Sequence, residues 1–230
     1  MSITLSPAKI FLADQRGFAE DAVQQCSSTF SFGDFKNADK EPFGNLYTLN
    51  DEILSAGSSI TQQAKYNSYL VLLPITGGII YCDNTQHFET DAGEVLVVPM
   101  EKGTEFKIAN PYPANWVNYI RIEIKSDDLN ARIAESFTFD LEQFPNQLIP
   151  VVGHPGCAFK MLIGRFGGRE EVVYRPVGKT SKVFSFVISG AFELQNRLLH
   201  EQDGLALWDA DIIEAEALSN NAILLLIDLK

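Results

Sequence analysis

From Trp116 to Ile124 the chain alternates: Trp116, Ile120, Ile122 and Ile124 lie on one face, and Val117, Tyr119, Arg121 and Glu123 on the other. Period two with β-branched residues predicts a strand. Similar segments recur on both sides of it. Ala8–Leu12, Gly78–Cys82, His87–Thr90 and Glu94–Pro99 read as strands, punctuated by turns at Asp14–Gly17, Asp83–Asn84 and Asp91–Gly93. Leu46–Leu49 and Ile53–Leu54 flank Asn50–Asp51, a pair expected to turn a hairpin. Short strands at this spacing predict a sandwich or barrel.

The rhythm breaks between Ser126 and Pro150. Ser126-Asp127-Asp128 is suited to cap a short helix carrying Leu129, Ile133 and Ala134. The stretch reads as a connector, because the β pattern then resumes at Lys160–Phe166, Glu171–Tyr174, Lys182–Ile188, Gly204–Trp208 and Ala222–Leu229. Two all-β halves suggest a duplicated barrel, with domains over 1–125 and 150–230 and a linker with a short helix over 126–149. Gly164–Arg169 is glycine-rich, but β-like residues follow it, so a hairpin turn is expected and not a phosphate cradle.

Composition removes several function classes. A net charge of −12 and the shortage of clustered Lys and Arg argue against nucleic acid and against docking on an anionic membrane. No apolar run approaches the roughly 20 residues of a spanning helix. Met1–Leu5 lacks the basic region and apolar core of a signal peptide, so a cytoplasmic location is expected. Cys26, Cys82 and Cys157 are far apart and read as reduced thiols. His87, His154 and His200 form no H-x-H pair and read as loop or surface residues.

The stretch Gly57 to Gly77 resembles the first motif of a cupin barrel, in which a Gly is followed after five residues by His-x-His and then by Glu. Here Gln63-Ala64-Lys65 holds the His-x-His place and Tyr69 the Glu place. Gly93, Pro99, Gly103 and Asn110 follow the second motif approximately, with Phe106 in its His place. Thr29-Phe30-Ser31-Phe32 and Gly204-Leu205-Ala206-Leu207-Trp208-Asp209 narrow the resemblance to pirins, a bicupin family, over nearly the whole chain. The resemblance implies an all-β fold of two tandem cupin (double-stranded β-helix) barrels, with the C-terminal strand packing back across the pair. It also implies iron in the N-terminal barrel, held by three His and one Glu, and flavonol oxidation in bacterial relatives.

Carried over position by position, the ligand set becomes Gln63, Lys65, Phe106 and Ile108. Phe and Ile cannot coordinate, and Lys is a cation at pH 7. No metal or other cofactor is therefore expected, and no catalytic residue is assigned. Two readings of the altered site stand side by side. Lys65, Gln63 and Tyr69 could hold an anionic or polar ligand, or Phe106 and Ile108 could simply fill the pocket. Because Lys65 occupies the inward His position, it is expected to point into the barrel, with Gln63 beside it and Ala64 outside. The functional expectation is a non-enzymatic pirin-like protein that binds a small molecule or a protein partner. The alternative is a quercetin 2,3-dioxygenase-type oxygenase with an atypical site.

Overall fold

The computed structural model describes residues 6–129, 133–153, 158–178 and 181–229. Met1–Leu5, His154 and Cys157 lie outside them. Two compact units emerge: Arg16–Thr138, and a second that joins Met1–Gln15 to Phe139–Lys230. Neither contains an α-helix among the described residues; the only helical turns there are 3-10, at Ala13–Gln15 and Ala38–Lys40.

In the Arg16–Thr138 unit a seven-stranded antiparallel sheet runs in the order Glu135–Thr138, Glu94–Met100, Ser68–Thr76, Val117–Lys125, Leu46–Leu54, Gln24–Ser28, Gly17–Glu20. It faces a four-stranded sheet ordered Ser59–Gln63, Glu105–Ala109, Ile79–Asp83, His87–Thr90. Between them lies one apolar core. Leu54, Leu70, Leu72, Leu96, Val98 and Val117 come from the larger sheet, and Ile79, Tyr81, Phe106 and Ile108 from the smaller. Burial of such side chains is worth roughly 1.5–3 kcal/mol each.

The second unit repeats the plan. A six-stranded sheet is ordered Ala8–Phe11, Gly204–Trp208, Lys182–Ser189, Ala222–Leu229, Phe159–Phe166, Ile149–Val152. A four-stranded sheet is ordered Glu171–Tyr174, Ile213–Ala217, Ala191–Leu194, Arg197–His200. The core carries Phe166, Val187, Phe192, Leu205, Leu224 and Leu226. Gly204 must be glycine, since a Cβ there would lie 2.6 Å from the Phe184 ring.

Several expectations are corrected. Leu46–Leu54 is one continuous strand, so Asn50–Asp51 makes no turn; Asn50 is buried and paired across to Arg121. The unit that was to end at residue 125 continues to Thr138, because Glu135–Thr138 adds an edge strand to Glu94–Met100. Ser126–Leu129 is not helical, and residues 130–132 lie outside the described set. Gly167–Arg169 is no hairpin turn, because the strands it joins belong to different sheets. The C-terminal strand stays central in its own sheet. It is the N-terminal strand, Ala8–Phe11, that joins a sheet of distant sequence, through Gly204–Trp208. The unpredicted hairpin Ala191–His200 turns on Gln195 and Asn196, both at positive φ (50° and 59°), where an Asn-Gly signal was absent.

Candidate functional site: a buried guanidinium network in the N-terminal barrel

Register fixes which side chains enter the barrel. Phe106 lies opposite Gln62, and Ile108 opposite Ile60. Directly opposed residues share a face, so the inward set is Ile60, Gln62 and then Ala64, which is buried in the core. Gln63 and Lys65 are exposed. The placement inferred by counting from Gly57 is therefore one residue out of phase, and a one-residue slip exchanges the faces. Lys65 does not point into the barrel: its Nζ lies 5.2 Å above the Phe32 ring, at the rim. Gln63 lies beside it, donating to the Gly103 carbonyl at 3.0 Å. Both line a cleft at that rim. Phe106 and Ile108 do point inward and fill space, with Phe106 stacked on Tyr81 at 6.0 Å. Tyr69 is opposite Ile124, on the other face of its strand, and does not line the cleft.

The residue at the centre is Arg121, 3% exposed. On its strand Val117, Tyr119, Arg121 and Glu123 face the core; the isoleucines face away. The Arg121 guanidinium donates to Glu123 and to the Gln62 side-chain Oε1, and its Nη1 lies 3.7 Å from Glu52. The rings of Phe106 and Phe32 lie 5.4 Å and 5.5 Å from it. Glu52, fully buried, also accepts from Tyr119 Oη at 2.6 Å, Gln24 Nε2 at 3.0 Å and Asn50 Nδ2 at 3.1 Å. Tyr47 donates to Glu123. A bulge opposite Glu123–Ile124 leaves Tyr47 as the extra residue and turns it toward the cleft.

Electrostatics follow from this wiring. Burial alone would lower the Arg121 pKa, but Glu123 and Glu52 more than offset that and hold it above its usual value. Burial first, then the carboxylates they touch, pushes the Tyr47, Tyr81 and Tyr119 phenols well up. Burial and Glu52 push the Cys26 thiol up to about 12. The buried hydroxyls are held protonated, the guanidinium is permanently charged, and both carboxylates are engaged as acceptors. The network is a hydrogen-bonded polar cluster inside the barrel.

Raised phenol and thiol pKa values set a sign. These groups stay protonated in the folded chain, so their stabilisation is complete below the unfolded values of about 8.5 for Cys and about 10 for Tyr. It is lost as pH rises through the folded values. The urea midpoint should therefore be insensitive to these groups up to about pH 8 and fall progressively from about pH 9. Circular dichroism over that range checks it; a midpoint that rises above pH 9 contradicts it.

The implied metal does not fit this donor set. The inward positions offer Gln62, Ala64, Phe106 and Ile108, and the space they surround holds a guanidinium bonded to two carboxylates. A divalent cation would have to displace a guanidinium that already engages both carboxylates and the one amide oxygen. Among the described residues no group of three or more His, Cys, Asp or Glu is placed to hold a metal. Sequence reasoning missed this centre. Its signal was the polar parity Tyr119-Arg121-Glu123 on one strand and Asn50-Glu52 on its neighbour.

Comparison with known proteins agrees with the fold. Residues 158–229 match the family model for the quercetinase C-terminal cupin domain. Quercetin 2,3-dioxygenase of Escherichia coli K12 is 22% identical over 93% of this chain and 95% of that protein. Bacterial pirin YhhW of E. coli, solved in complex with nickel(II), superposes with a TM-score of 0.84 at 19% identity, covering 97% of this chain and 99% of that one. A quercetin 2,3-dioxygenase from Acinetobacter baumannii gives 0.75 at 13% identity, covering 97% and 79%. The chain thus has two cupin barrels, of which the C-terminal one is matched by that family model, and it resembles a bacterial pirin over nearly its full length.

Proposed function

We propose that this protein acts by binding a small molecule at the rim of its N-terminal barrel, and that it is not a metal-dependent dioxygenase. The observation that carries this reading is Arg121, locked between Glu52 and Glu123 in the middle of the barrel. Dioxygen activation on a metal needs several donors and open positions. Here the inward side chains are an amide, a methyl and two apolar groups, and the two nearby carboxylates are already engaged by a guanidinium. The binding role belongs to the rim, where side chains meet solvent.

Elemental analysis of the purified protein should find no stoichiometric transition metal. Aerobic quercetin turnover should be absent with added Fe, Mn, Ni, Co or Cu. Installing Gln63→His, Lys65→His, Phe106→His and Ile108→Glu together should recover no tight iron site, because these four side chains occupy two faces of the sheet. An iron held tightly by residues of this barrel, or metal-dependent consumption of quercetin, overturns the reading.

A further inference from the structure

The cleft at the rim of the N-terminal barrel has a volume of about 450 Å³, and four bases line it with one acid. The bases are Lys36, Lys65, Lys125 and Arg121; Arg121 is already engaged by the acid, Glu123, and by Glu52 behind the cleft, so the uncompensated charge is that of the three lysines. In a chain with 30 acidic and 18 basic residues this is a local inversion of charge. Among the described residues, no ion pair is formed by Lys36, Lys65 or Lys125. Two of these lysines are held by rings instead. Lys125 Nζ lies 3.7 Å above Tyr66 and 5.4 Å from Tyr47, and Lys65 lies over Phe32. A ring face positions an ammonium without using its hydrogen-bond donors.

A second observation is independent of the lysines. Thr48 Oγ1 and Arg121 Nε belong to residues lining the same cleft, are buried, and have no hydrogen-bond partner in the protein among the described residues. Both atoms have almost no accessible surface, so they mark an under-satisfied wall behind the cleft and are not contact points for an occupant. Positive charge and ammonium donors not used in ion pairs together specify oxygen atoms carrying negative charge.

We propose that this cleft is a binding site for a small, multiply charged oxyanion, of the phosphate-ester or polycarboxylate class. This rests on the binding reading above and names the ligand chemistry for that same rim. The rest of the chain is strongly acidic and repels a long polyanion, so the field admits a small anion and excludes nucleic acid.

The test is titration calorimetry on the full chain at constant ionic strength, with inorganic phosphate, phenyl phosphate and tricarballylate as probes and chloride as reference. At least one probe should bind saturably above the chloride reference; phosphate-only and carboxylate-only results separate the two subclasses. Changing Lys36, Lys65 and Lys125 singly to Gln should weaken binding about two- to fivefold each, and on the order of tenfold or more together. Lys107→Gln, exposed on the face of its strand away from the core, should change nothing. Saturable binding by none of the probes, or equal binding by the triple variant, overturns the assignment. Metal content and quercetin turnover, measured on the same preparation, report separately on the reading that this is not a metal-dependent dioxygenase: anion binding can fail while that reading still holds.

Discussion

Arg121→Ala lowers the stability of the N-terminal barrel by about 3–5 kcal/mol, the expected result of removing one partner from a buried charge cluster. For a unit of this size that is a drop in melting temperature on the order of 10–20 °C. The loss comes less from the missing attraction than from what remains. Glu52 and Glu123 are 0% and 4% exposed, and without the guanidinium they face each other's charge in a region of low dielectric. A control distinguishes this from lost packing. Arg121→Met with Glu52→Gln and Glu123→Gln removes every formal charge of the cluster while keeping its volume, and should be markedly more stable than the single variant. Equal melting temperatures for the two would show that the charge network contributes nothing.

Asp228→Ala should cost about 2–4 kcal/mol in the other barrel, from two orphaned donors. Asp228 is fully buried on the last strand; its Oδ2 accepts from Tyr174 Oη at 2.7 Å and from the Val177 N–H at 3.0 Å. It ties the loop after Glu171–Tyr174 to the central strand of the six-stranded sheet. Asp228→Asn keeps a carbonyl oxygen for both donors and should lose less. Calorimetric unfolding of the three proteins checks the order; an Ala variant as stable as the wild type would show that water replaces the carboxylate at no cost.

The strands were legible wherever alternation or an apolar run was bounded by Gly, Asn or Asp, as at Val117–Lys125 and Ala222–Leu229. Local propensity misled where tertiary pairing prevailed. Asn50–Asp51 has turn chemistry, yet Asn50 sits in mid-strand because its amide donates to Glu52, and Asp51 accepts from Asn118. The centre of the site was hidden for a different reason. Period two defines two faces of Val117–Lys125 but not which is interior, and a face bearing Arg and Glu reads as solvated. Only the cross-strand pairs, Arg121 with Asn50 and Tyr119 with Glu52, show these polar residues meeting in the interior. Counting from Gly57 located the motif to within one residue, which is the one error that exchanges inside for outside.

The pairing of Ala8–Phe11 with Gly204–Trp208 has a consequence for how the chain must fold. Ala8 meets Leu207, and Phe11 meets Gly204, across nearly the full length of the polypeptide. Pairings of such long sequence separation form late, because chain closure is costly before their contacts repay it. On the ribosome residues 8–11 are made before the Arg16–Thr138 barrel yet paired only after all of it has emerged. Until then Gly204–Trp208 presents an open strand edge to solvent, the kind of edge that recruits other chains. The interval between synthesis of the second barrel and capture of residues 8–11 is the period in which this edge is open to other chains.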